Sequence, residues 1–295
     1  MAEVRRLVDC TNTLGEGPVW DVAEQRLYWI DSMAKEIWRC TVDGGDVRTW
    51  PLPSEVGSLA LREGGGAVLA LRTGICFFDF DTGAIEQVAD PTAGLRKLRL
   101  NDGKVDRRGR FIVGGLDLEV YEKGAGAARG ALFRLDPDRG IHQLESGIAC
   151  TNGPCWSADD RTFYFTDSAL DTIYAYDYDL EQGAIANRRT FARLERLIPD
   201  GATVDAEGYY WATMNGAFSG IGELRRFAPD GTLALTVPLP VRKPTSLMFG
   251  GPDLDIIYVT SMRLDGDFPI EEGDGAVYAV HGLGIRGLPE PRFAG

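Results

Sequence analysis

The sequence predicts an all-β fold, a six-bladed β-propeller closed by an N-terminal strand, and three observations predict it. A Gly-anchored strand-turn-strand unit recurs at Gly17, Gly57, Gly103, Gly153, Gly201 and, with Ser in place of Gly, at Ser246. A second hairpin signal follows each copy, and one apolar-alternating segment, residues 3–10, belongs to no copy. Strand-turn-strand units spaced about 40 to 50 residues apart are the signature of propeller blades.

The copies read, in order, GPVWDVAEQRLYWID (17–31), GSLALREGGGAVLAL (57–71), NDGKVDRRGRFIVGGLD (101–117), NGPCWSADDRTFYFTD (152–167), DGATVDAEGYYWATM (200–214) and TSLMFGGPDLDIIYVTS (245–261). The second hairpins are carried by KEIWRC (35–40), TGICFFDF (73–80), GALFRLD (130–136), DTIYAYD (171–177), GELRRFA (222–228) and GAVYAV (275–280). Most of them run into an Asp-Gly type turn, as in TVDGG, DFDTG and FAPDG. Two hairpins make a four-stranded blade, so six copies occupy the whole chain and residues 1–295 are expected to form a single domain without a linker. The orphan segment EVRRLVDC (3–10) should pair into the blade that contains GAVYAV. Only EQGAIANRRTFARLERL (181–197) offers a helical alternative, and it reads equally well as a strand and a connection.

Composition narrows the function. Thirty-one basic against 44 acidic residues give a net charge of −13. That argues against a nucleic-acid partner or an anionic membrane surface, since both select a basic face. The N-terminus MAEVRRLVDC has no signal-peptide core and no apolar run is long enough to span a bilayer, so a cytoplasmic location is expected. Five cysteines at no zinc-ribbon spacing read as reduced core residues. With only two histidines, His142 and His281, a three-histidine zinc site is impossible, and no G-x-S-x-G elbow accompanies either of them.

Four short motifs carry the chemistry: LGEGPVWD (14–21), RLND (99–102), TNGP (151–154) and PDG (199–201). Glu16, Asn101, Asn152 and Asp200 are hard oxygen donors, suited to Mg²⁺, Ca²⁺ or Mn²⁺ rather than to a thiolate-seeking ion. Each falls at or just before the innermost strand of its repeat. In a propeller those strands line one channel, so the repeats alone bring the four to one mouth. The recurring aromatics Trp20, Tyr28, Trp29, Trp156, Phe163, Tyr164, Tyr210 and Trp211 are expected to pack blades together, whereas Met214 and Phe218 are expected to line the pocket mouth.

With those motifs in place the chain resembles the family of senescence marker protein 30, gluconolactonases and luciferin-regenerating enzyme. The resemblance extends from LGEGPVW through RLNDGKVDRRGRF, TNGPCWSADDRTFYFTD and PDGATVDAEGYYW to KPTSLMFGGPDLDIIYVTS. It implies that Glu16, Asn152 and Asp200 hold one divalent cation, of which Ca²⁺, Zn²⁺, Mn²⁺, Mg²⁺ and Fe²⁺ are all compatible with an all-oxygen set. It further implies that Arg99, Asn101 and Glu119 contact a sugar lactone. One departure stands out: Gly114, Gly115 and Leu116 occur where many relatives carry Gly-Thr-Met, which alters the expected sugar pocket and leaves the cation set untouched.

The implied activity is a metal-dependent lactonase, a carboxylic ester hydrolase that opens a gluconolactone-type aldonolactone to its aldonic acid, with Asp200 as ligand and general base. Two alternatives remain at this stage. One is a calcium-dependent hydrolase of the phosphotriesterase and paraoxonase type, whose members often place a histidine near the metal, and none of the four motifs contains one. The other is a propeller that binds calcium or a protein partner without catalysis. The sequence leaves the sugar, the metal and the oligomeric state open.

Overall fold

The computed structural model describes residues 2–95, 97–124, 126, 128–195, 197–216, 220–263 and 269–295, without the side chains of residues 121 and 122. After β1 (Glu3–Val8), blade I comprises β2 (Gly15–Asp21), β3 (Arg26–Asp31), β4 (Glu36–Thr41) and β5 (Arg48–Pro51). Blade II comprises β6 (Val56–Leu61), β7 (Ala67–Leu71), β8 (Gly74–Phe78) and β9 (Ile85–Ala89). Blade III comprises β10 (Leu98–Val105), β11 (Phe111–Asp117), β12 (Gly130–Leu135) and β13 (Ile141–Ile148), with one helical turn, α1 (Val120–Lys123), between β11 and β12. Blade IV comprises β14 (Thr151–Trp156), β15 (Thr162–Asp167), β16 (Thr172–Asp179) and β17 (Ala184–Arg193), and blade V comprises β18 (Ile198–Val204), β19 (Tyr210–Asn215), β20 (Glu223–Phe227) and β21 (Leu233–Pro238). Blade VI is β22 (Pro244–Gly250), β23 (Ile256–Ser261), β24 (Val277–His281) and, as its outer strand, β1.

Every pairing is antiparallel between sequence neighbours except the last, where Glu3 pairs with His281 and Arg5 with Ala279. This is the ring closure expected of the orphan segment, and it covers the edge that β24 would otherwise expose. The six innermost strands, β2, β6, β10, β14, β18 and β22, contact one another in sequence and back to β2, which closes the ring around a channel.

Blade position explains the composition of each strand. Both faces of an inner blade strand are covered by the adjacent blades, so β7 (AVLAL) and β19 (YWATMN) are buried along their whole length instead of alternating. Outer strands face solvent. That is why β17 (AIANRRTFAR) is polar and mostly exposed, and why the 181–197 segment is a strand rather than a helix.

Apolar clusters fill the spaces between blades. Trp20 stacks on Tyr258 at 5.5 Å between blades I and VI, Tyr164 meets Tyr210 at 5.2 Å between IV and V, and Trp211 meets Phe249 edge-on at 5.9 Å between V and VI. Not every expected aromatic bridges blades: Trp29 stacks on Trp38 within blade I, and Trp156 meets Phe163 at a tilt within blade IV. Removing a fully buried ring such as that of Trp211 would cost about 3–5 kcal/mol. All five cysteines are buried and free. Met214 is fully buried among Tyr164, Tyr210 and Phe227, so it belongs to the core and not to the pocket mouth. Phe218 lies outside the described residues.

Beyond β24 the chain crosses the far ends of the inner strands. Gly287 N–H donates to Leu254 O (2.8 Å), Phe293 N–H to Leu61 O (2.8 Å), and Arg292 pairs with Asp21 at 2.7 Å. Phe293 itself is fully buried against Phe77. Glu290 and Pro291 cap a small channel cavity that reaches Asp102, Lys104 and Ala202. The tail therefore covers the mouth opposite the four motifs.

Candidate active site

Each motif-bearing inner strand loses register with its partner at the motif itself: between Glu16 and Val19, Leu100 and Gly103, Asn152 and Cys155, and Pro199 and Ala202. Such bulges bend a strand and re-aim its side chains. Gly17 (φ 50°) and Gly153 (φ 56°) adopt the left-handed backbone there, which explains the Gly of E-G-P and N-G-P. The bulges also correct the simple alignment of the motifs. Glu16 and Asn152 are the last paired residues before the bulge, whereas Asn101 and Asp200 lie within it, so the four are offset by one residue rather than equivalent.

The structure brings them together all the same. Asn101 Nδ2 donates to Thr151 O (2.8 Å) and to Asn152 Oδ1 (2.9 Å). Asn152 Nδ2 donates to Ser168 Oγ (2.9 Å), and that hydroxyl donates to Pro199 O (2.6 Å), the carbonyl that precedes Asp200. Charge links the rest. Burial, then the charges of Asp200 and Asp102, push the Glu16 carboxyl well above the usual range, with Arg99 pulling modestly the other way. Burial, then Asp102, likewise raises Asp200 well above its ordinary value. Glu16 keeps some contact with channel solvent, but its carboxyl sits deep.

Asp200 is 8% exposed and its Oδ1 has no hydrogen-bond partner. A buried acceptor left unpaired costs free energy. Two buried carboxyls, one repelling the other and one with an orphan oxygen, linked through Ser168 and the Pro199 carbonyl to the amide of Asn152, form a donor set that fits a hard divalent cation. No three His, Cys, Asp or Glu side chains among the described residues group as a metal site on their own. A cation held here would thus depend on Glu16, Asp200 and an amide oxygen together.

Arg99, the second residue of β10, is buried opposite Leu116, and its Nη1 donates to Leu100 O at 3.0 Å. Its charge is felt at Glu16. Glu119 is placed differently. It precedes α1, receives Lys123 Nζ at 2.7 Å and lies 3.5 Å from Arg129, and the Lys123 hydrogen bond holds its carboxyl below the usual range. No described hydrogen bond or ion pair joins it to Glu16, Asn101, Asn152 or Asp200. Gly114 packs against Thr151, where a Cβ would come within 2.2 Å of the Thr hydroxyl, so a larger residue there would displace the strand that carries Asn152.

Several supporting residues were not singled out from the sequence. Asp102 accepts the N–H of Gly103 and of Gly153, both at 2.8 Å, and so clamps blade III to the bulge behind Asn152. Asp31 receives Thr13 N–H and Leu14 N–H ahead of Glu16, and Asp167 receives Ala149 N–H and Cys150 N–H ahead of Asn152. Side-chain to main-chain bonds span all six blade junctions: Trp50 to Phe80 O, Ser58 to Asn101 O, Asn101 to Thr151 O, Ser168 to Pro199 O, Thr213 to Thr245 O and Thr245 to Gly15 O. A visible signal existed for three of these residues, Asp31, Asp167 and Ser168, since IDS (30–32) and TDS (166–168) repeat at the same blade position.

The architecture and the motif set coincide with what comparison with known proteins finds. The family model described as the SMP-30/gluconolactonase/LRE-like region matches residues 14–263, a span that contains all four motifs. This chain belongs to that family. A 6-deoxy-6-sulfogluconolactonase of Pseudomonas putida is 37% identical over 292 residues and covers 96% of both chains. A regucalcin of Xenopus laevis is 34% identical over 300 residues, 99% of each. The solved structure of a luciferin-regenerating enzyme superposes over the whole of both chains with a TM-score of 0.91 at 29% identity. In this SMP-30/gluconolactonase-type propeller the matched span runs from β2 through β23, whereas β1, β24 and the tail that covers the far mouth lie outside it. No helix among the described residues is long and apolar enough to cross a membrane.

Proposed function

We propose that this protein is a metal-dependent sugar lactonase that hydrolyses an aldonolactone to its aldonic acid. The observation that carries the reading is the buried carboxyl of Asp200, whose Oδ1 has no partner, near enough to the buried Glu16 carboxyl for its charge to be felt there and tied to Asn152 through Ser168 and the Pro199 carbonyl. A sulfogluconolactonase relative at 37% identity supports the substrate class. Glu16, Asn152 and Asp200 would hold one divalent cation. When bound there, such an ion supplies Lewis-acid polarisation of the lactone carbonyl and neutralises the charge that develops on its oxygen.

The chain's own residues do the rest. Asp200, the proposed base, accepts a proton from the attacking water, an exchange that needs only modest basicity. Water oxygen adds to the carbonyl carbon, the ring C–O bond breaks, and the departing ring oxygen takes the proton back from Asp200 to become a hydroxyl. Arg99, whose Nη1 also donates to Leu100 O, is assigned to the sugar through its guanidinium, and Asn101, with both N–H groups committed to Thr151 O and Asn152 Oδ1, is assigned to it through its own oxygen. Glu119 is assigned to the outer edge of the sugar pocket, where its ion pairs with Lys123 and Arg129 would have to open to reach substrate.

The test is a pH-indicator assay of initial rates above spontaneous hydrolysis, run on a panel of aldonolactones with and without a terminal anionic group, and on a phosphotriester. Proton release that depends on enzyme with at least one aldonolactone, and none with the phosphotriester, is expected. Turnover of the phosphotriester alone would refute the reading.

A further inference from the structure

We propose that Ser168 is a positioning residue that fixes which way the Asn152 amide faces, and so presents Asn152 Oδ1 to the cation. The inference rests on the cation site proposed above and extends it to a residue outside the motifs. An amide can point either its oxygen or its NH₂ group at a given neighbour, and the two ends have nearly the same shape. Only the hydrogen-bond network chooses between them.

Here the network chooses unambiguously. Ser168 has one hydroxyl hydrogen, and Pro199 O, 2.6 Å away, is an acceptor and nothing else. The hydrogen is therefore spent on Pro199 O, and Ser168 Oγ can only accept from Asn152, 2.9 Å away. That neighbour must be the NH₂ end. On the opposite side the same logic applies: Asn101 Nδ2 is fixed as a donor by Thr151 O at 2.8 Å, and its second hydrogen reaches Asn152 Oδ1 at 2.9 Å. One lone pair of Asn152 Oδ1 is used by Asn101, and the other remains for a cation.

Ser168 is itself held in place. It opens the short 3-10 turn Ser168–Leu170, its N–H donates to Cys150 O (3.0 Å), and it is buried. Through Pro199 O it also ties Asn152 in blade IV to the peptide that carries Asp200 in blade V. One hydroxyl thus sets the orientation of one proposed ligand and the spacing to another.

The experiment is calorimetric titration of Ca²⁺ and of Mn²⁺ into chelator-stripped protein, with no turnover involved. Partners that orient metal ligands are worth about 10- to 100-fold in affinity. Ser168→Ala should weaken both cations by about 10-fold or more. Ser168→Thr, which restores the hydroxyl, should regain most of the loss, and Ser168→Cys keeps the volume with a weak acceptor should Ala prove too disruptive to fold. The deciding arm uses Asn152→Asp, whose two oxygens need no orienting. In that background Ser168→Ala should cost less than about 3-fold. Affinity within about 2-fold of wild type for both Ser168→Ala and Ser168→Cys would overturn the role of Ser168 alone, as would an equal loss in the Asn152→Asp background. Absence of cation binding by the wild-type protein would overturn the cation site and this inference together.

Discussion

Asp200→Asn removes the charge of Asp200 while keeping its shape, and it should move stability and turnover in opposite directions. Asp200 is buried, its Oδ1 has no partner, and burial followed by the Asp102 charge raises its carboxyl well above the ordinary range. A carboxyl whose folded-state pKa is raised contributes its stability below the unfolded pKa, about 3.9, and loses it as pH rises through the folded value. Cation-free wild type should therefore weaken as pH climbs above the usual carboxylate range. Asp200→Asn has no proton to lose and should weaken less. An unpaired buried acceptor costs about 1–3 kcal/mol. Because the replacement amide is also short of partners, the relief is set at about 1 kcal/mol, or about 2–4 °C in Tm at pH 8, shrinking toward pH 4. With cation at about 100 times its Kd the order reverses, since the ion adds about 2.7 kcal/mol to the wild type. Turnover should fall by about 10²-fold or more even at saturating cation. Scanning calorimetry with and without chelator across pH 4–8, paired with initial rates, measures all of this. A variant no more stable than cation-free wild type at pH 8, or one with near-normal kcat at high cation, would refute the reasoning.

Three further outcomes follow from the same geometry. Glu16→Gln should weaken cation binding in titration calorimetry by about 10-fold or more, with kcat largely recovered at saturating cation, because Glu16 is assigned no proton transfer. Arg99→Ala should lower kcat/KM for the preferred lactone and leave Ca²⁺ affinity within about 2-fold; equal kinetics across the lactone panel would remove Arg99 from the site. Deleting residues 2–8 should expose the edge of β24 from Val277 to His281 and drive association detectable by light scattering, whereas a monodisperse truncated protein would deny β1 its covering role.

Much of the propeller was legible because its signals are local. A Gly or Ser anchor, an apolar strand, an acidic turn and a second strand lie within about 30 residues of one another, and six copies reinforce each other. The orphan segment 3–10 could be placed in blade VI because only one blade lacked an outer strand. The C-terminal tail was not legible. Phe293 and Arg292 gain their places from Leu61 and Asp21, more than 200 residues away, and no periodic pattern announces such contacts. Met214 misled for a related reason: β19 is covered on both faces by its neighbours, so alternation gives no clue to which residues meet the channel. At the site, residue type revealed the oxygen donors, but the one-residue offset between Glu16 and Asp200 depends on where each bulge falls. The clamps made by Asp102 and Ser168 are contacts between blades, and a single repeat read by itself contains neither partner.

The most direct test of the account compares one protein in two states: initial rates on an aldonolactone after chelation and desalting, and again after a divalent cation is restored, with far-ultraviolet circular dichroism recorded in both. Because the apolar clusters between blades hold the fold without Glu16, Asn152 and Asp200, loss of lactonase activity on chelation, an unchanged spectrum, and recovery with cation are expected. Full activity in the chelated, cation-free protein would contradict it.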